Sequence, residues 1–404
     1  MLSSSNKDVV STLKFFRGFG IPTCFVVPTA TGLEKSIMDA TKSISNYLKT
    51  NNLHDYSDQL QGGAHKIVLK TTLVSENAEI DTFTSLYRPE TKSGDPRLWI
   101  SRLKNYANPG DLIALIAHHD SLVAINCSKT DLHKYSASIL FRSLRRPTKE
   151  SEVAIELLEK IRKISSMGYI QTMRSGDTGI GYTFESLLGI DANNATTPDF
   201  KGIEIKTKRA NRPSNRTTLF SKTPDWQKSR VKSSLELLQT RGKYSEAKSR
   251  LQLYHQISSL KTNSYGLILH INSNDSTLEQ RYQVEATDIM DVLWNMEVLN
   301  DALTAKHRET FWVSAQVQGR RNGTGEMFWY NSIRHTSNID PNALPILLEL
   351  GVISLDYTIK ETVTGGAKDQ GYLFKMATSN LDLLFQQVNE YDLSTHLDSS
   401  ISIS

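Results

Sequence analysis

"TPDFKGIEIKTKR", Thr197 to Arg209, decides how this chain is read. In an extended strand successive side chains point to opposite faces. Ile203 and Ile205 then enter a core from one face, while Glu204 and Lys206 share the other. Gly202 permits a bend or bulge just before the strand, which can swing Asp199 to the side of Glu204. Two carboxylates and one ammonium converge on a small volume at a sheet edge. Such a cluster is costly unless something neutralises it. A divalent cation does so, and Mg²⁺ is commonly held by one or two carboxylates plus waters and substrate phosphate. Lys206 can then orient or help activate a water aimed at phosphorus. The pattern points to metal-dependent phosphodiester hydrolysis, against the plainer alternative of a surface strand with a chance ion pair.

Glu-x-Lys by itself is a weak signal, and the chain has other instances. Glu90-Thr91-Lys92 lies among Pro89, Gly94 and Pro96 and reads as a loop. Glu246-Ala247-Lys248 lies in a helical stretch, where residues two apart do not share a face. Just upstream of the first cluster runs "GDTGIGYTFESLLGID", Gly176 to Asp191. Thr183 to Leu188 reads as the start of a short amphipathic helix with Glu185 in its first turn, and the preceding glycines permit close backbone approach to a phosphate. Glu185 has two readings: a further acid in the same site, or compensation of the helix dipole.

The totals set bounds. The 404 residues are more than one ordinary core accommodates and comfortable for two domains. No apolar run is long enough to span a bilayer, and the first twenty residues lack a signal-peptide apolar core, so a cytoplasmic protein without a membrane partner is expected. Cys24 and Cys127 sit in apolar stretches and read as buried thiols, with no zinc-type spacing. Net charge is +4, but its distribution says more. From Lys201 to Arg250 the cations outnumber the anions by about three to one, and the tail after Asp340 leans acidic. A local cationic excess marks either a polyanion-binding face or a solvated charged helix.

No internal repeat or low-complexity segment is present. The best break is "SLRRPTKESE", Ser143 to Glu152, with residues 1–145 before it, a linker over 146–152, and 153–404 after it. The first part is read as β-rich, with strands in "IPTCFVVPTA", "HKIVLKTTLV" and "GDLIALIAHHDSLVAINCS" and a helix in "LEKSIMDATKSISNYLKT". His118 and His119 are placed in mid-strand on alternate faces, which argues against joint metal binding. The second part opens with the helix "ESEVAIELLEKIRKISSMG", stopped by Gly168. A short helix, a strand pair, a long basic helix and further strands follow, which is an α/β or α+β arrangement around a mixed sheet. No nucleophile elbow, P-loop or dinucleotide fingerprint occurs.

"GIGYTFESLLGI" together with "TPDFKGIEIKTKR" resembles the catalytic core of the MvaI/BcnI restriction endonucleases, a branch of the PD-(D/E)xK nucleases akin to MutH. The resemblance covers roughly Glu150 to the C-terminus. It implies an α/β, mixed-sheet PD-(D/E)xK nuclease domain in a monomeric, Mg²⁺-dependent enzyme with one active site that cuts short, nearly palindromic CC-x-GG sites. Carried over by residue, Asp199 and Glu204 match the metal-binding acids, Lys206 the catalytic lysine, and Glu185 the acid on the preceding helix. A methyltransferase partner that protects the host genome is also implied.

Sequence readout is expected from "QVQGRRNGTGEMFWYNSIRHTSN", Gln316 to Asn338, a hairpin with an "NGTG" turn. Arg320, Arg321, Tyr330, Arg334 and His335 are the candidate DNA contacts there, since Arg can fork onto guanine and His can reach a base edge. Solvent exposure or phosphate contact is the alternative. Lys208, Arg209, Arg212, Arg216, Lys228 and Arg230 read as phosphate contacts. Minimal family members lack the first part. Its pattern, "LYRPETKSGDPRLWISRLKNYANPGDLIALI" in particular, resembles the B3-like DNA-binding effector domain of EcoRII, which implies a β-rich pseudobarrel that binds a second copy of the DNA site. Arg88, Lys92, Arg97, Trp99 and Arg102 are candidates in its basic loop, with core packing as the other reading of Trp99. Two rival activities stand beside restriction: a MutH-like nicking nuclease and a DNA-binding regulator with a vestigial site.

Overall fold

The computed structural model describes residues 6–91, 94–145, 151–190, 198–210, 216–272, 275–340 and 343–394. In the first part the strands are Cys24–Val26 (β1), Met38–Asp39 (β2), Ile67–Ser75 (β3), Ala78–Tyr87 (β4), Arg97–Ile100 (β5), Ile113–His118 (β6) and Ser121–Asn126 (β7). They form one sheet in the order β1-β6-β7-β3-β4-β5-β2. All pairings are antiparallel except β3 with β7. The β3–β4 hairpin closes through Glu76 and Asn77, both with positive φ, which suits the right-handed twist of the flanking strands. The helices of this part are Asn6–Gly18 (α1), Ala30–Lys35 (α2), Lys42–Thr50 (α3), Leu103–Tyr106 (α4), Leu132–Tyr135 (α5) and Ile139–Ser143 (α6).

The expected helix over "LEKSIMDATKSISNYLKT" is broken in two. Ser36 ends α2 in the left-handed region, and Met38 and Asp39 then pair with Leu98 and Arg97 of β5 before α3 begins. Cross-strand pairing thus overrides helix periodicity. His118 and His119 are also displaced from the expected mid-strand position. His118 ends β6, and His119 is a turn residue with φ of 54°.

The second part contains the helices Glu152–Ser166 (α7), Gly179–Leu187 (α8), Ser234–Arg241 (α9), Met296–Lys306 (α10) and Ala343–Glu349 (α11). Its strands are Ile170–Gln171 (β8), Glu204–Arg209 (β9), Arg216–Ser221 (β10), Lys243–Ser245 (β11), Arg250–Ile257 (β12), Leu267–Asn272 (β13), Thr277–Val284 (β14), Thr287–Asn295 (β15), Glu309–Gln318 (β16), Met327–Ile339 (β17), Ile353–Glu361 (β18), Ala367–Ala377 (β19) and Phe385–Asp392 (β20). Three sheets result: β20-β17-β16-β9, β10-β19-β18-β12-β11 and β13-β14-β15. The first is mixed, since β9 runs parallel to β16 while β17 pairs with β16 in antiparallel fashion. The long basic helix expected after β10 is only α9. Asp225 folds the preceding segment into a turn by accepting from the N–H groups of Gln227 and Lys228, and Gly242 follows the last turn.

The sheet that carries β9 rests on α7 and α8. Ser151 caps α7 by accepting from Ala154 N, and the helix buries Ala154, Leu157, Leu158, Ile161 and Ile164. These pack with Ile180 and Phe184 of α8 and with Ile203, Ile205, Phe311 and Val313. Each such large aliphatic or aromatic side chain contributes about 1.5–3 kcal/mol. A larger core joins the two parts of the chain. Val9, Leu13 and Phe16 of α1 are buried in it together with Phe385 of β20 and Leu381 and Leu383 of the 3₁₀ turn Thr378–Leu383.

The Arg17 guanidinium on α1 forms a buried ion pair with Asp340, just after β17. Breaking such a pair strands a charge in a low-dielectric site. Arg17→Met is expected to lower unfolding stability by roughly 3 kcal/mol or more, read from denaturant midpoints, whereas Arg142→Met, on an exposed hydrogen bond to Ala137 O, stays near wild type.

Candidate active site

The turn before β9 builds the site. Phe200 and Ile203 exchange both backbone hydrogen bonds, at 2.9 and 2.8 Å, around Lys201 and Gly202. Both central residues have positive φ, 46° and 95°, the requirement of the tightest two-residue hairpins. The Lys201 ammonium grips Glu156 of α7 at 2.6 Å and anchors the turn. The chain therefore doubles back, which sets Asp199 beside the start of β9. Asp199 Oδ2 accepts the Ile205 N–H at 2.8 Å.

Glu204 and Lys206 leave the same face of β9, as alternation requires. Their Oε1 and Nζ are 2.5 Å apart, and Glu204 is only 5 % exposed. β9 is the edge strand, so this face opens to one side of the sheet. Ile203 and Ile205 enter the core. Glu185 does not lie in the first turn of its helix. α8 begins at Gly179, where a Cβ would collide with the Arg174 carbonyl, so Glu185 sits in the second turn. That removes the dipole-compensation reading, because the N-terminal field fades within the first turn. Glu185 is close enough to feel Asp199, Lys206 and Glu204.

Desolvation raises the pKa of Asp199, with Glu204 adding to the rise and the Ile205 N–H opposing it. Desolvation likewise raises Glu185, and the Asp199 charge adds to it. Among the described residues no three acidic, histidine or cysteine side chains form a ready metal cage. Mg²⁺ needs only one or two carboxylates and completes its shell with water and substrate, so Asp199 and Glu204 fit it, with Glu185 behind them.

A cleft of about 420 Å³ runs beside the site, between β9 and β10. Lys206, Lys208, Arg209, Arg216 and Arg321 line it, with Asp177 as the acidic member. Burial lowers the Lys208 pKa, helped by Arg334, and its Nζ donates to Thr378 Oγ1 at 3.1 Å. Ile180, Thr207, Thr217, Thr218, Trp312 and Thr378 complete the walls.

The other expected DNA contacts divide. Arg320 and Arg321 are exposed at the β16–β17 turn, and Arg321 is held by Asp177 at 2.9 Å. Arg334 is half-buried, paired with Glu390 at 2.5 Å and donating to the Thr378 carbonyl. Tyr330 is not at the surface: it is fully buried and donates to the Ile180 carbonyl at 2.8 Å. His335 is 1 % exposed, stacked on Phe311 and bonded to Glu309 Oε1. Both belong to the core because β17 alternates under α7 and α8, a constraint that residue type does not reveal. Arg209 is a rivet: its Nε and Nη2 donate to the two oxygens of buried Glu326 at 2.7 and 2.8 Å. It also reaches the Asp177 carbonyl and Asn322. In the first part, Arg88 is tied to the Gly94 and Gln59 carbonyls. Arg97 is half-buried in β5 with Asp39 at 4.0 Å, and Arg102 is exposed. Trp99 packs against the core of the sheet. Lys92 and Arg212 lie outside the described residues.

Two site residues escaped sequence reading. Lys306, the last residue of α10, places Nζ 3.7 Å from Glu204 Oε1. His307 follows it, fully buried, with Nε2 2.6 Å from the Leu219 carbonyl and Nδ1 3.0 Å from Thr310 Oγ1. Burial pushes its pKa down to about 3, so the ring is neutral. The carbonyl can only accept, so Nε2 carries the proton and Nδ1 accepts from Thr310. Nothing in the local sequence marks either residue, because α10 is about a hundred residues from the motif.

A basic cleft beside an edge-strand acid–acid–lysine group is the equipment of a phosphodiester-cleaving enzyme, and comparison with known proteins narrows that class. The MvaI/BcnI restriction endonuclease family model matches residues 158–385. The chain belongs to the MvaI/BcnI restriction endonuclease family, and so to the site-specific type II DNA nucleases. Among solved structures, one described as "Restriction endonuclease MvaI-cognate DNA substrate complex" is 26 % identical, with TM-score 0.51 over 61 % of this chain and 100 % of that one. "Restriction endonuclease MvaI in the absence of DNA" covers the same shares at 26 % identity, with TM-score 0.40. No curated protein matches. No helix among the described residues is long and apolar enough to cross a membrane.

The raised acids carry a pH signature. Between the ordinary carboxylate value of Glu185 and its raised folded value, the folded state binds more protons than the unfolded one. Folding stability therefore falls as pH rises through that window. Glu185→Gln is expected to raise the melting temperature of the metal-free protein by about 1–2 °C at neutral pH. The gain disappears below the ordinary carboxylate range, as thermal scans at the two pH values would show.

Proposed function

We propose that this enzyme hydrolyses double-stranded DNA with Mg²⁺ at a CC(A/T)GG-like site and leaves 5′-phosphate and 3′-hydroxyl ends. The observation that carries the reading is Glu204, buried at the edge of the mixed sheet, within one small volume of Asp199 and Lys206. When bound by Asp199 and Glu204, Mg²⁺ supplies Lewis-acid polarisation of the phosphate and stabilises the developing charge. Lys206 orients the attacking water. Glu185 holds a further water on the side of α8. The new bond joins the water oxygen to phosphorus while that water gives a proton to solvent, the bond from phosphorus to O3′ breaks, and the departing oxygen takes a proton from solvent. Lys208, Arg216 and Arg321 grip flanking phosphates, which gives affinity without sequence information. Arg320, Arg321 and Arg334 are the remaining candidates for base contacts on the β16–β17 hairpin, with Arg321 able to serve either role. DNA drawing Arg321 away from Asp177 is the step that would free it.

One active site in a monomer cuts the two strands in separate events. Residues 1–145, joined through 146–152 to a catalytic domain over 153–404, act in this reading as a B3-like effector module that binds a second copy of the site. Arg102 is exposed in the turn after β5, which supports it. The enzyme then behaves as type IIE-like, with a companion methyltransferase protecting the host.

The test is cleavage of a plasmid with one CCWGG site by purified protein, with and without Mg²⁺, alongside Lys206→Ala. A linear product that needs Mg²⁺ and falls at least about a hundredfold in the variant is expected. Tight binding with no cleavage under any divalent cation would sink the hydrolytic reading. An added short CCWGG duplex is expected to accelerate the cut in the full chain. If it does not, the effector role of residues 1–145 fails while the nuclease reading stands.

A further inference from the structure

Glu204 has a second cationic neighbour that its own strand does not supply. Lys306 Nζ stands 3.7 Å from Glu204 Oε1, the same oxygen that Lys206 Nζ holds at 2.5 Å. The position is built. The next residue, His307, is locked by Leu219 and Thr310 and lies flat on Trp312, with ring centroids 5.4 Å apart. Thr310 and Trp312 are the β16 residues paired with Glu204 and Lys206. The end of α10 is therefore fixed against the two residues that stand opposite Glu204 and Lys206 on β16. The Lys306 charge also reaches Asp199. Its side chain is 43 % exposed, so the ammonium keeps access to the solvent side of the site.

Charge decides what such a lysine does. Three carboxylates against Lys206 alone leave an excess of two negative charges. A divalent ion would cancel that excess, and the scissile phosphodiester would then add an uncompensated negative charge. With Lys306 included, three carboxylates, two ammoniums, one divalent ion and one phosphodiester sum to zero. A cation that takes a Glu204 oxygen displaces the ammonium from its anion, and the entering phosphate is the new anion within reach of a four-carbon stem.

We propose that Lys306 is a second catalytic cation, which holds Glu204 while no metal is bound and turns to a non-bridging oxygen of the scissile phosphate when metal and DNA are both present. The inference rests on the metal-dependent hydrolysis proposed above. The lysine acts as a charge that changes its anion. It therefore opposes metal binding to the free enzyme and favours metal and DNA together, a coupling that guards against unproductive metal loading.

The test compares wild type, Lys306→Ala, Lys306→Met and Lys306→Arg. Calorimetry measures Ca²⁺ affinity without DNA, and single-turnover assays measure cleavage at saturating Mg²⁺ and DNA. The Met variant keeps the aliphatic stem, and thermal scans check that each variant folds. For Ala and Met, Ca²⁺ is expected to bind the DNA-free protein roughly tenfold tighter, since one nearby positive charge is gone. Cleavage is expected to slow about a hundredfold, and Arg to restore most of it. Unchanged Ca²⁺ affinity with cleavage within about threefold of wild type would overturn the proposal. Tighter Ca²⁺ binding with normal cleavage would overturn the phosphate contact and leave a counter-ion. Slow cleavage with unchanged Ca²⁺ affinity would overturn the hold on Glu204. A wild type that neither binds Ca²⁺ nor cuts in Mg²⁺ fails at the functional reading itself, independently of Lys306.

Discussion

A carboxylate buried to 5 % exposure at the edge of a sheet is the constraint around which this enzyme is arranged. A carboxylate buried there is costly without cationic partners, and the fold supplies two. Lys206 comes from the same face of the same strand, and Lys306 comes from the end of a distant helix. The surrounding architecture serves to hold these groups. α7 and α8 fill the core beneath β9, the Lys201–Glu156 pair pins the turn, and His307 ties α10 to two sheets at once.

The cleft follows the same logic on a larger scale. Four of the five cations on its walls have a carboxylate partner, Lys206 with Glu204, Arg209 with Glu326, Arg216 with Asp356 and Arg321 with Asp177, while Lys208 donates to Thr378. Some of these cations are committed to structure. Arg209 joins β9 to the β16–β17 turn through Glu326, and that bidentate pair sets the hairpin at a fixed height above the site. Others are held by exposed partners that a phosphate can replace, as Asp177 holds Arg321. Exposure of the partner separates the two groups: Glu326 is buried, whereas the Asp177 side chain is 72 % exposed and its pair is correspondingly weak.

The acid–acid–lysine cluster was legible because it is local. Asp199, Gly202, Glu204 and Lys206 span eight residues, and strand alternation plus one glycine turn determines their geometry without outside help. The hairpin Gln316 to Asn338 was legible for the same reason, through its turn residues and its β-branched and aromatic flanks. Errors arose where long-range pairing competes with local pattern. The helix expected over Leu33 to Thr50 was cut by a two-residue strand whose partner lies some sixty residues on. The long basic helix shortened to α9 because an aspartate turn precedes it. Tyr330 and His335 looked like readers by residue type, yet their strand positions face the core.

The sequence by itself placed the acid–acid–lysine group, which needs only the two-residue period of a strand and the backbone freedom of Gly202 to assemble. It also determined the family, because those residues sit in a contiguous motif. Only the tertiary structure decided which charges are free to act. Whether an arginine grips a phosphate or a buried glutamate, and whether a lysine about a hundred residues away reaches the active carboxylate, depends on packing between elements that no local period encodes.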